Sequence, residues 1–206
     1  DGMILVGSVF KEQSDNSHII EAAKKVPIVT LNSDIKGENI YSIVCDDSYA
    51  TYEIVKYLYE KGHRDIYYIY DVESFSGLAK LEGFKRASKE YLTSNTNSLL
   101  VNVRPGIEGG IEAINRMEQK GIKYTALLTS DDLIAAGVMK EIRLFGKRVP
   151  EDVKIFGFNN SAISQCTYPE LSSVDNKVGD MARGAVEMLY DVLCKKDVQN
   201  KRVVIP

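Results

Sequence analysis

The chain has 206 residues, 44% of them apolar and 27% charged, with a formal net charge of −3 and a pI near 5.5. That is enough apolar sequence for a sizeable core, and it excludes a disordered chain, which needs fewer apolar residues and more net charge. The mild acidity also gives no electrostatic footprint for wrapping a nucleic acid, which usually demands a basic face.

Short β-rich runs alternate with longer amphipathic stretches from one end to the other. "MILVGS" (3–8) is an almost wholly apolar run, as expected of a strand covered on both faces. A helical pattern over 15–25 leads through Pro27 to "IVTLN", and "YSIVCD" (41–46) is the next strand. A helix over 49–60 stops at Gly62, a residue suited to a helix C-cap, and "DIYYIY" follows. A helix over 75–91 leads to "LLVNV", and one over 108–120 ends at Gly121 before "YTALLT". A helix over 133–145 ends at Gly146 before "DVKIFGF"; a last helix over 178–195 precedes the strand "RVVIP". Helices that each end at a glycine and lead into a strand predict βαβ units with right-handed crossovers, an α/β chain with parallel sheets.

Cys45, Cys166 and Cys194 are odd in number and far apart, so no disulfide framework is expected. His18 and His63 are the only histidines, so neither a metal site nor a cofactor is expected. No segment opens the chain as a signal peptide and no run approaches a membrane span, which predicts a soluble cytoplasmic protein without a membrane partner. No G-x-S-x-G, H-E-x-x-H or Walker loop is present, and "GIEGG" (106–110) lacks dinucleotide-binding spacing. Asp131 and Asp132 are adjacent, about 100° apart on a helix, which makes them a weak pair for sharing a proton. No catalytic residue is therefore assigned, and an enzyme is not expected.

In open parallel sheets, ligands sit beyond the carboxyl ends of the strands. There the sequence places Ser8 and Phe10, Asp46 and Asp47, then Ser74, Phe75 and Ser76. Ser130, Asp131, Asp132, Asn159 and Asn160 follow later strands. Carboxylates, amides and hydroxyls with aromatic rings nearby suit a neutral polyhydroxylated ligand. Taken singly, each serves equally well as a helix N-cap, and "TSDD" before Leu133 is a good capping sequence.

Several stretches together resemble the effector-binding region of LacI/GalR-family transcription repressors. They are "YLYEKGHRDIYYI", "GLAKLEGFKRA", "TALLTSDDLIAAGVMKEIRLFGKRVPEDVKIFGFNN" and "YPELSSVDNKVGDMARGAVEML". The resemblance implies two Rossmann-like lobes of the periplasmic-binding-protein type, with a small sugar-like effector bound between them. On this sequence the lobes would be 1–62 plus 175–197, and 63–174 plus 198–206. Lys80 stands where the family commonly has an effector-gripping arginine, with Ser76 one turn earlier on the same helix face. Asp131 and Asp132 fall at the family's polar pair before "AAG", and Asn159 at a position usually held by aspartate. Asn176 lies where a glutamine is frequent, and Tyr49 is a further contact. Asn160 is expected to cap "SAIS". The loss of a carboxylate and an arginine together implies a neutral or weakly charged effector.

The family carries a helix-turn-helix head that contacts DNA, and "DGMILVGS" resembles the third strand of the first lobe. The expectation is thus an incomplete first lobe with an apolar edge strand, from a longer homodimeric repressor. The alternative is a periplasmic or lipoprotein sugar receptor with the same fold.

Overall fold

Apolar runs and amphipathic stretches alternate in space as they do in sequence. The computed structural model describes residues 1–7, 15–71 and 74–206. The elements of the first half are β1 (Met3–Val6), α1 (Ser17–Ala23), β2 (Ile28–Leu31), β3 (Ile40–Cys45), α2 (Asp47–Glu60), β4 (Ile66–Tyr70) and α3 (Phe75–Tyr91). They are followed by β5 (Leu100–Asn102), α4 (Ile107–Gln119), β6 (Ala126–Thr129), α5 (Asp132–Leu144), β7 (Lys154–Phe158) and α6 (Ala162–Cys166). The chain ends with β8 (Ser172–Val174), α7 (Val178–Leu193) and β9 (Arg202–Ile205).

Two compact units result. One comprises Asp1–Asp47, Glu73–Ala79 and Lys177–Pro206; the other comprises Ser48–Val72 and Lys80–Asn176. The first holds a parallel sheet in the order β1-β2-β3-β9. Alternate residues of β2 face opposite ways: Ile28 packs with Ile19 and Ala23 of α1, and Val29 with Met181 and Ala185 of α7. β1 is an edge strand whose Met3, Ile4 and Val6 are exposed.

The second unit holds a parallel sheet in the order β5-β4-β6-β7-β8. On one face Leu127 and Ile155 meet Ile134, Val138 and Ile142 of α5 and Ile114 and Met117 of α4. On the other, Ile66, Tyr68 and Leu128 meet Val55 and Leu58 of α2 and Phe84 of α3. α4 and α5 approach so closely that a Cβ at Gly110 would strike the Ile134 carbonyl, and one at Gly137 the Ile107 carbonyl. This backbone-to-backbone contact fixes where α5 begins, and so where Asp131 sits.

Four segments differ from the expected lobes: Glu73–Ala79 falls in the first unit and 175–176 in the second, and two longer segments change unit as well. Residues 198–206 were expected in the second lobe, but β9 pairs with β3, Ser42 to Arg202 through Cys45 to Ile205, and so lies in the first unit. Residues 48–62 were expected in the first lobe, but Val55 and Leu58 bury themselves against the second sheet. Hydrophobic burial assigns these segments to their units, and the apolar periodicity of a helix does not say which sheet it will cover. Two elements were not expected: a 3-10 turn at Thr96–Leu99, and the three-residue β8, held by its pairing with β7.

Candidate functional site

The order β5-β4-β6-β7-β8 places its first two strands in sequence, β4 and β5, on one side and β6 onward on the other. The chain therefore reverses direction across the sheet between β4 and β6, the switch point where such sheets open a crevice beyond the strand ends. Asp71 follows β4, and Ser130 and Asp131 follow β6, so this crevice is lined by polar groups. The Ser130 hydroxyl donates to Asp71 Oδ1 at 2.8 Å. From α3, Lys80 reaches in with only 4% of its surface exposed; its Nζ donates to the Ser130 carbonyl at 3.0 Å. The same ammonium stands 4.6 Å from the centre of the Phe158 ring, a cation–π distance. Phe158 is fully buried, so it supports Lys80 and does not offer a face to a ligand.

Asp131 is the N-cap of α5, with extended backbone and Oδ1 accepting from the Ile134 amide at 2.8 Å. Burial pushes its carboxyl above the ordinary aspartate value of 3.8, and the nearby Asp71 charge adds to the rise. Lys80 and the amides of Ile134 and Leu133 oppose that rise. The position thus holds a half-buried acceptor that carries both capping and ligand-facing potential.

Asp132 behaves differently from the expectation. It is 1% exposed, and its oxygens accept from the Ser161 amide and hydroxyl, both at 2.7 Å, and from the Ser173 hydroxyl at 2.6 Å. Its carboxylate ties α5 to the loop before α6 and to β8, and a Cβ at Gly157 would collide with it. One residue of helical rotation separates a rim group from an internal strut.

Asn159 and Asn160 both adopt positive φ, +96° and +44°, conformations that asparagine tolerates better than other non-glycine residues. The Asn159 amide donates to the Val174 carbonyl at 2.9 Å, continuing the β7–β8 ladder one step. Its side-chain oxygen accepts from the buried Asn176 at 2.8 Å. Two of the expected contacts are therefore adjacent, although 17 residues separate them. The cap of α6 is Ser161 and not Asn160, whose amide instead donates to the Ser173 hydroxyl.

In the first unit, Asp47 is buried and accepts from the Ser76 hydroxyl at 2.6 Å. Phe75 packs beside Ile19, Ile35 and Ile40. Tyr49 lies on α2 in the second unit, 57% exposed. Ser8 and Phe10 lie outside the described residues. Asp71 and Ser173 were missed by sequence reasoning. Asp71 was within reach of the strand-end rule, being the first residue after "IYYIY"; Ser173 had no such signal, because β8 itself was not foreseen. Among the described residues no group of three or more His, Cys, Asp or Glu could hold a metal ion. No helix of the described residues is long and apolar enough to cross a membrane.

Parallel sheets with a polar rim at the carboxyl ends of their strands define a ligand-binding domain of the type I periplasmic-binding-protein class. The chain belongs to the periplasmic binding protein-like domain family, whose model matches residues 55–206. Its homologues are transcriptional regulators of the LacI family, as the repressor resemblance of its motifs implied. It is 36% identical over 206 residues to an HTH-type transcriptional regulator of Lachnoclostridium phytofermentans, across 99% of this chain. The chain spans 62% of the length of that relative. The transcription regulator CcpA of Lactococcus lactis superposes with a TM-score of 0.83 at 27% identity, over 100% of this chain and 74% of that one. A sugar-binding transcriptional regulator of the LacI family from Escherichia coli, complexed with phosphate, gives 0.84 at 28% identity, over 98% of this chain and 73% of that one. These relatives are transcriptional regulators.

Proposed function

We propose that this chain is the effector-sensing region of a LacI/GalR-type transcriptional repressor, and that its effector is a small, neutral, polyhydroxylated molecule such as a sugar. The observation that carries the effector class is the engagement of Lys80. Its ammonium is buried, hydrogen-bonded to a carbonyl and accompanied by Asp71 and Asp131. A phosphate or carboxylate arriving at this rim would meet two carboxylates and a cation that is almost wholly buried. Sugar hydroxyls, by contrast, can donate to Asp131 and exchange paired hydrogen bonds with Asn159.

The match to helix-turn-helix regulators over 99% of the chain favours a repressor over a periplasmic receptor. DNA contact through a helix-turn-helix segment, and a homodimer matching two-fold symmetric operators, belong to the same proposal. The effector controls DNA affinity only through its difference in affinity between conformations that bind DNA and those that do not. Hydrogen bonds to charged groups contribute about 1.5–3 kcal/mol each, so two made in one conformation only would shift the equilibrium by two decades or more.

Thermal-shift screening of neutral sugars, sugar acids and sugar phosphates tests this. A neutral sugar at a hundredfold excess over its Kd should raise Tm by about 5 °C or more. Asn159→Ala should remove the rise. Stabilisation by sugar phosphates alone would contradict the assignment.

A further inference from the structure

The second unit has another concavity, at the opposite end of its strands. A cavity of about 510 Å³ lies at the amino-terminal ends of β7 and β8. That volume falls within the range of small-molecule sites, roughly 300–1,000 Å³. Its apolar wall includes Leu58, Met139, Ile155 and Leu171, all buried side chains. Two aromatic rings line it as well: Tyr57, half exposed, and Phe156, set edge-to-face with ring centres 6.4 Å apart.

Phe156 explains why the cavity exists. Side chains of β7 alternate, and Phe156 points with Lys154 toward the α2 side of the sheet. The core on that face is built by α2 and α3 over β4 and β6, and Phe156 is only partly buried against it. A large aromatic ring near the sheet edge is therefore left partly uncovered.

The polar lining has a clear sign. Lys61 and Lys154 bring two ammonium groups, and Glu170 brings one carboxylate. Lys61 Nζ lies 5.5 Å from the Tyr57 ring centre, and Lys154 Nζ donates to the Pro150 carbonyl at 2.6 Å, which uses one of its three hydrogens. His63 joins them, its Nδ1 3.0 Å from the Thr125 hydroxyl. Burial, and then the Lys154 charge, hold His63 below its ordinary value of 6.5, so it is neutral at pH 7 and offers a hydrogen-bonding partner without charge.

We propose that this cavity is a second small-molecule site, which takes an aromatic carboxylate, with the ring packed against the Tyr57–Phe156 pair and the carboxylate toward Lys61 and Lys154. The assignment rests on the second unit alone and stands independently of the effector at the carboxyl-end rim.

The test uses indole-3-acetate as probe and its neutral amide, indole-3-acetamide, as control, followed by amide chemical shifts of the 206-residue chain. Indole-3-acetate should give saturable shifts centred on Lys61, His63, Ile155 and Ser172, and the amide should bind about tenfold more weakly or not at all. Lys154→Met and Lys61→Met should each weaken indole-3-acetate by about tenfold without changing binding of the amide. Asn159→Ala should leave indole-3-acetate binding unchanged, which separates this site from the rim. Absence of shifts, equal binding of acid and amide, shifts confined to Asp131 and Asn159, or insensitivity to both lysine variants would each overturn the assignment.

Discussion

The two sheets bury their strands to different depths. In the second unit Ile66, Tyr68 and Ile69 of β4 and Ala126, Leu127 and Leu128 of β6 are all fully buried, with helices on both faces. In the first unit only the inner strands reach that state. Ile28 and Val29 are fully buried, but Val6 of β1 is 65% exposed and Val204 of β9 39% exposed. The deeply packed unit also carries the polar rim at its switch point, and the strands that end at that rim are the ones packing holds most tightly. Ligand-facing groups gain precision when the scaffold beneath them cannot shift.

The comparison breaks most visibly if a core side chain of the second unit can be removed cheaply. Phe84, fully buried and stacked on Tyr68 at 5.3 Å, should cost about 3–5 kcal/mol as Phe84→Ala, read from denaturant unfolding. Asp132→Ala comes next. It strips acceptors from the Ser161 amide and two hydroxyls, and should cost about 2–3 kcal/mol while uncoupling α6 and β8 from α5, seen as faster amide exchange over residues 161–173.

A smaller effect, on binding, follows from Asp131. As pH falls, its carboxylate protonates and becomes an uncharged, weaker acceptor for the hydroxyls of the proposed effector. Because its pKa is raised by burial and by Asp71, effector affinity should begin to fall at a higher pH than an aspartate at the ordinary 3.8 would give, as calorimetry across a pH series can show. At the bottom of the scale, Val6→Ala on the exposed edge of the first sheet should change stability by less than about 0.5 kcal/mol.

Most of the secondary structure was legible because its signals are local. Unbroken apolar runs mark strands buried on both faces, and Gly62, Gly121 and Gly146 adopt the positive φ that ends a helix. The short β8 was not legible, since "SSV" has neither apolar character nor length and exists only through its pairing with β7. The unit boundary at α2 was missed for a related reason: the helix advertises an apolar face and not its destination. Within the site, strand ends brought forward Asp131 and Asn159, but they could not distinguish Asp131 at the rim from Asp132 inside. That distinction depends on Ser161 and Ser173, which are 29 and 41 residues away from Asp132.

The most direct measurement is calorimetry of the neutral sugar found by thermal shift, against the chain and its Asp131→Asn variant. Asparagine caps a helix as well as aspartate does, so the variant keeps α5 intact and removes only the charge. Affinity should fall about tenfold or more with Tm nearly unchanged. Wild-type affinity in Asp131→Asn would contradict the central claim that the rim of the second unit holds the effector through its carboxylate.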